Sequence, residues 1–279
     1  RSAWNENQQP YLTEPKIKEI RRYSMFEHFE VNISTLDRNR MVRVYLPKQY
    51  NENKEKSYPV LYMHDGQNLY KDEDAGYGMS WGISDYLDKS DLEIIVVGID
   101  CNDGYKRLDE YSPWSSSEMR KIFAPELDGI GGEGQKYVEY IVNELKPFID
   151  DKYRTIPDES SMAGSSMGGL ISTYAACNYP NIFKRVASVS SAYWFTQEEI
   201  ELLIKDSNLS AIEKFYLDVG TNESSGTIDS RRYIESSESV YSLLKGKVKD
   251  CKFVIAEGAV HNELAWRERV PAIFNYLYK

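Results

Sequence analysis

The chain has 279 residues, of which 41% are hydrophobic and 28% charged, ordinary values for a globular protein with room for one large α/β domain or two small ones. Its formal net charge is −10, and the basic residues are scattered rather than gathered into an arm or stripe. That argues against a phosphate-binding surface and a nucleic-acid partner, and no apolar run reaches the roughly 18 residues that would suggest a membrane partner.

Residues 1–22 read as an N-terminal extension to which no role can be assigned. Arg1 to Pro10 is polar and resembles no signal peptide, and the missing initiator Met fits a processed or trimmed end. Residues 23–279 read as a single α/β domain. It opens with two strand-like segments, Phe26 to Ile33 and Met41 to Leu46, joined by a polar turn around Asp37 to Arg40.

From Tyr58 onward short apolar runs alternate with longer amphipathic ones. The runs are 59–63, 92–99, 161–163, 186–189, 215–219 and 253–256. Residues 92–99, LEIIVVGI, are apolar on both faces, as in a parallel strand covered by helices on both sides. Tyr137, Ile141, Leu145 and Phe148 share one helical face, as do Trp266, Val270, Ile273 and Leu277. Pro271 interrupts the second set and predicts two short helices there. Strand–helix alternation predicts a mostly parallel, doubly wound sheet with an antiparallel N-terminal edge, the architecture of the α/β-hydrolase fold.

Residues 161–170 read SMAGSSMGGL. Gly164-Ser165-Ser166-Met167-Gly168 fits G-x-S-x-G, with a strand before it and a helical stretch, Gly169 to Cys177, after it. That context is required by a nucleophile elbow. The turn would expose the Ser166 hydroxyl at the carboxyl edge of the sheet. The Met167 N–H would lie at a helix N-terminus, directed at developing negative charge.

A serine hydroxyl needs a base to take its proton. Of His28, His64 and His261, only His261 follows Ser166, on a loop after the 253–256 run. The acid should follow the preceding strand, in FYLDVGTNESSGTID. Glu223 lies in the loop beyond that strand, Asp229 further along it, and Asp218 within the strand; a Ser–His dyad without an acid is the remaining possibility. A second oxyanion donor is expected from His64-Asp65-Gly66-Gln67-Asn68, where Gly66 would permit an unusual turn aiming the Gln67 N–H inward. His64 and Asp65 are expected only to shape that loop.

The segments YMHDGQNLY, WGISDYL, IVVGID, RLDEYSPW, AGSSMGGL and HNELAWRERVPAIFNYL, in that order, resemble the putative-esterase family. The chain is thereby similar to enterochelin esterases, esterase D-type S-formylglutathione hydrolases, feruloyl and acetyl-xylan esterases and mycolyltransferases. The resemblance runs from about Tyr23 to the C-terminus. It implies Ser166 as nucleophile, His261 as base and Glu223 as acid, with the amides of Gln67 and Met167 as the oxyanion hole.

The expected function is therefore a serine carboxylic ester hydrolase that uses an acyl-enzyme and no cofactor or metal. Its substrate would be a small acyl or aryl ester, of a small molecule, a glycan (feruloyl or acetyl) or a siderophore. The alternatives are an acyltransferase with the same triad or a noncatalytic binding module of this fold. The chain has 22 Tyr and 5 Trp, and Trp81, Glu110, Tyr111, Trp114, Tyr193 and Trp194 are candidates to line the pocket.

Gly129-Ile130-Gly131-Gly132-Glu133-Gly134 matches G-x-G-x-x-G, but the segment before it is polar and helical in pattern, so a loop near the site is expected instead of a dinucleotide site. The cysteines, Cys101, Cys177 and Cys251, are odd in number and lack metal-ligand spacing. They fit free thiols in a reducing compartment, and a cytoplasmic location is the expectation.

Overall fold

A computed structural model describes residues 21–23 and 26–279; most of the N-terminal extension, 1–20, lies outside them. Among the described residues one sheet has nine strands: β1 (Arg21–Tyr23), β2 (Phe26–Ile33), β3 (Arg38–Tyr45), β4 (Tyr58–His64), β5 (Ile95–Ile99), β6 (Thr155–Ser165), β7 (Phe183–Val189), β8 (Lys214–Asn222) and β9 (Asp250–Val260). Their order is β1-β2-β3-β5-β4-β6-β7-β8-β9. The first three strands pair antiparallel and join β5 antiparallel, and the remaining pairings are parallel. The antiparallel edge thus begins at Arg21, slightly before the domain start read from the sequence.

The helices are α1 (Ile83–Lys89), α2 (Lys106–Tyr111), α3 (Ser117–Phe123), α4 (Gly134–Tyr140), α5 (Lys146–Lys152), α6 (Met167–Asn178), α7 (Gln197–Asp206), α8 (Ser230–Leu244) and α9 (Glu263–Tyr278). They cover both faces of the sheet, and the strand sequences show why. In β4, Val60 and Tyr62 face one apolar cluster while Leu61 and Met63 face another, the period of two that a pleated strand imposes. The first cluster packs residues of α4 and α6 to α8, and the second packs residues of α1 and α9.

Three elements differ from the sequence expectation. The run Ser161–Ala163 grows into the eleven-residue β6, because hydrogen bonding to β4 and β7 on its two edges carries the strand through polar residues. Of 92–99 only Ile95–Ile99 is a strand; Leu92 N–H is instead turned onto Ser90 Oγ at 3.2 Å. The Pro271 segment forms the single helix α9 rather than two. Trp266, Val270, Ile273, Phe274 and Leu277 are buried on both sides of the proline. Docking that stripe against the sheet outweighs the roughly 3 kcal/mol that an interior proline costs a helix.

The turn from β6 into α6 depends on absent side-chain atoms. A Cβ at Gly164 would lie 2.6 Å from both the carbonyl carbon and oxygen of Gly168, closer than packing allows. Gly164→Ala should therefore destabilise the protein by about 1–3 kcal/mol, read as a lower urea midpoint with an unchanged slope. An unaltered midpoint would show that the turn can open.

Candidate active site

Ser166 stands between β6 and α6 with φ 58° and ψ −122°, a conformation unfavourable for any residue with a Cβ. Neighbouring chain holds it there. Ser166 N–H donates to Val189 O at 2.9 Å, and Ser166 O accepts from Ala192 N and Gly169 N, each at 3.0 Å. The first turn of α6 also lies against the loop after β4, since a Cβ at Gly168 would be 3.3 Å from His64 Cβ. That contact brings the segments carrying Met167 and Gln67 side by side.

The loop after β4 differs from its expected form. The left-handed residue is Asp65, with φ 57° and ψ 49°, not Gly66. The glycine is needed for space, because a Cβ there would fall 2.6 Å from the carbonyl carbon of Gly98 and 2.8 Å from Asp100 Oδ1. Asp65 is held in its turn by a two-pronged ion pair from Arg107, at 2.7 and 2.8 Å, and its N–H donates to Tyr111 Oη at 2.9 Å. The Gln67 side chain is tied to Cys101, accepting from its N–H and donating to its Sγ, both at 3.0 Å. His64 is buried, with Nδ1 2.9 Å from Tyr137 Oη. Burial pushes its imidazole down to about 3, so the ring is neutral and belongs to the loop's framework.

On the far side, His261 follows β9 and its Nδ1 lies 2.6 Å from Glu223 Oε2. Glu223 Oε1 accepts from the Gly220 N–H at 2.8 Å and from Ser190 Oγ at 2.5 Å. Burial alone would raise the Glu223 carboxyl. The hydrogen bonds from His261, Ser190 and Gly220 outweigh it and hold the group below the usual carboxylate range. The other acids considered for this place are engaged elsewhere. Asp229 caps α8, accepting from Arg232 N at 3.0 Å, and Asp218 is buried against Arg269 at 3.2 Å and Tyr216 Oη at 2.9 Å.

Tyr233 joins the two halves. Its ring lies 5.0 Å from that of His261, and its hydroxyl is 2.7 Å from Ser225 Oγ. Burial pushes the phenol up to about 12, opposed by hydrogen bonding to Ser225 and by interaction with the Ser166 side chain. The imidazole is thus held between Tyr233 and Trp266, whose ring is 5.1 Å away.

A cavity of about 160 Å³ opens beside Ser166. Leu108, Phe123, Met167, Trp194 and Phe195 give it apolar walls, with Arg107 and Ser225 at its edge. Of the aromatic and acidic residues expected here, Trp194 lines it, stacked on Phe123 at 5.8 Å. The others sit elsewhere. Trp81 packs 5.6 Å from Trp266, which in turn lies against His261. Glu110 is fully buried on Arg40, at 2.6 and 2.8 Å, and Tyr111 supports Asp65 from inside the core. Trp114 packs on Tyr174 at 5.7 Å, and Tyr193 is buried with its hydroxyl on Ser188 Oγ at 2.8 Å. Sequence reasoning had not singled out Tyr233, Ser190 or Arg107. Arg107 stands in RLDEYSPW, but the Tyr233 and Ser190 contacts join distant segments and leave no local pattern. In the Gly129–Gly134 match, residues 129–133 lie in the loop between α3 and α4 and Gly134 opens α4, with a helix rather than a strand as the preceding element.

With this geometry in hand, the chain can be set beside known proteins. The family model described as Putative esterase matches residues 33–277. The uncharacterized protein YbbA of Bacillus subtilis (strain 168) is 26% identical over 246 residues, 86% of this chain and 93% of YbbA. A solved ferulic acid esterase superposes with a TM-score of 0.67 at 19% identity, covering 90% of this chain and 98% of that one. The enterobactin esterase FES from Shigella flexneri, solved in the presence of 2,3-di-hydroxy-N-benzoyl-glycine, gives 0.64 at 18% identity, covering 98% of this chain and 64% of that one. Both structures share the α/β-hydrolase fold seen here.

The lowered Glu223 carboxyl makes a prediction about acid stability. A carboxylate with a depressed folded-state pKa stabilises the protein above its unfolded value, near 4.5, and that contribution fades as pH falls through the folded value. Glu223→Gln should therefore be less stable than the parent near neutrality, and the gap in urea midpoints should close below about pH 4.5. A gap that stays constant from roughly pH 7 to pH 3 would contradict the depressed carboxyl.

Proposed function

The chain belongs to the Putative esterase family and is a carboxylic ester hydrolase, and we propose that it acts as a serine esterase through an acyl-enzyme on Ser166. The observation that carries this reading is His261 held 2.6 Å from Glu223, with its ring 5.0 Å from that of Tyr233, which also interacts with Ser166 on its strained elbow. The carboxylate fixes the imidazole's tautomer, with the proton on Nδ1 and a free basic Nε2, and stabilises the imidazolium that forms.

In the proposed sequence His261 takes the Ser166 proton as Oγ attacks the ester carbonyl. The oxyanion is met by the N–H groups of Met167, at the start of α6, and Gln67, on the loop braced by Asp65 and Arg107. His261 then protonates the leaving alcohol, and water repeats the cycle on the acyl-enzyme. The bracing of Asp65 supports the oxyanion assignment, since a preorganised amide does not reorganise as charge develops.

The cavity bears on the acyl group. About 160 Å³ is close to the size of an apolar cavity that accepts benzene, roughly 150 Å³. An aryl ring or a short acyl chain fits against Leu108, Phe123, Trp194 and Phe195; a long fatty chain would have to extend beyond the cavity. Feruloyl or acetyl esters of a glycan, or the ester of an N-dihydroxybenzoyl amino acid in a siderophore, are the proposed substrate class. The ferulic acid esterase and the enterobactin esterase among the structural neighbours support that choice.

Hydrolysis of p-nitrophenyl acetate by the parent and by Ser166→Ala tests the proposal, followed by a panel of feruloyl, acetyl-sugar and N-dihydroxybenzoyl-amino-acid esters. Ser166→Ala should lower kcat by roughly 10⁴–10⁶, and the aryl and short acyl esters should exceed long-chain esters in kcat/KM. Equal rates in parent and variant would remove Ser166 from the chemistry. An ester product formed in preference to the free acid when a competing alcohol is present would identify an acyltransferase instead.

A further inference from the structure

We propose that Ser190 is a positioning residue for the reaction, its hydroxyl proton committed to Glu223 by two donors that fill its lone pairs. The inference rests on the triad reading above and adds a residue to it. Ser190 lies just past β7 and is not among the residues that line the cavity beside Ser166.

Its hydrogen bonds can be counted in full. A serine hydroxyl has one proton to give and two lone pairs to receive. Ser190 Oγ receives Trp266 Nε1–H at 3.0 Å and Arg269 Nη2–H at 3.0 Å. Neither partner can act as an acceptor, so both lone pairs are occupied. The one remaining direction is Glu223 Oε1, at 2.5 Å. The proton has no alternative acceptor, and the hydroxyl is polarised by the neighbouring guanidinium.

The consequence falls on Glu223. Its Oε1 is taken by Ser190 and the Gly220 N–H, which leaves Oε2 to face His261 Nδ1. The carboxylate cannot rotate without breaking two hydrogen bonds in a buried setting, each costly to leave unmade. Ser190 thereby sets the plane of the carboxylate, and through it the direction in which the imidazole points.

The backbone shows the same commitment. Ser190 has φ 46°, a left-handed conformation that serine adopts reluctantly. It is pinned there by its N–H, which lies 3.0 Å from Asp218 O and 3.1 Å from Asp218 Oδ1. Asp218 also pairs with Arg269 at 3.2 Å, so the residue that fixes the Ser190 backbone also fixes the arginine that occupies its hydroxyl. Glycine would satisfy this backbone with less strain. A serine here is explained by its hydroxyl, and that separates the positioning role from a merely structural one.

The experiment compares Ser190→Gly and Ser190→Ala with the parent, with Ser166→Ala run beside them. Both Ser190 variants should lose about tenfold to a hundredfold in kcat with KM little changed. Both should also lose or shift the low-field proton resonance of the His261 Nδ1–H···Glu223 hydrogen bond, while Ser190→Gly keeps a melting temperature at or above that of Ser190→Ala. Parental kcat and an unmoved resonance in Ser190→Gly would overturn the proposal, because the backbone would then be all that position 190 supplies. Full activity in Ser166→Ala would instead indict the triad reading itself, and the two failures are told apart by which variant retains turnover.

Discussion

The site depends on one strained backbone, that of Ser166. A side-chain-bearing residue at φ 58°, ψ −122° costs on the order of 1–3 kcal/mol and persists only where its surroundings over-determine it. Here they do so from both flanks. Val189 at the end of β7 binds its N–H and Ala192, just past that strand, binds its C=O, while Gly169 closes the first turn of α6 on the same oxygen. The segment from Val189 to Ala192 therefore has two tasks. Val189 and Ala192 brace the elbow, and Ser190 between them, also at positive φ, reaches the opposite way to Glu223. Ser166 and Glu223, the proposed nucleophile and acid, are thus both held by the short stretch of chain at and just past the end of β7, and shared anchoring of this kind keeps a geometry to fractions of an ångström.

Electrostatics in the site are divided between framework and reaction. Asp65 and Arg107 neutralise each other beside the loop carrying Gln67, and His64 is held neutral by burial. Neither adds a net charge near Ser166. Asp218 is likewise balanced by Arg269. The carboxylate in direct contact with His261 is Glu223, buried but holding three hydrogen bonds, so it stays ionised where a lone buried carboxyl would take up a proton. Such satisfaction is required of a carboxylate in a low-dielectric site if it is to stabilise an imidazolium.

Much of this was legible in the sequence. The parallel strands announced themselves because burial on both faces leaves continuous apolar runs such as IVVGI. The elbow did so because its glycines and its strand–helix setting are local. His261 is the one histidine after Ser166, and Glu223 is one of three acids that follow or lie in the preceding strand, the one the family resemblance implies. The errors have physical causes. The unusual turn was assigned to Gly66 because glycine permits positive φ, whereas Arg107 and Tyr111, which stabilise Asp65 in it, are distant in sequence. Pro271 was read as a break because tertiary burial that overrides a local preference cannot be seen from the local sequence. Glu110, Tyr111 and Tyr193 are candidates for the pocket by residue type or, for Tyr193, by its place after the strand that follows the elbow, yet a buried tyrosine can brace a loop as readily as line a pocket. Ser190 and Tyr233 had no signal at all, since their roles arise from contacts across the fold.

The most direct measurement is to label the protein with a fluorophosphonate and locate the adduct by peptide fragmentation. A single covalent adduct on Ser166, resolved from the adjacent Ser165 and abolished by prior acid denaturation, is the predicted result. An adduct on Ser165 or another serine, or none at a probe concentration that labels other serine esterases, would contradict an acyl-enzyme on Ser166.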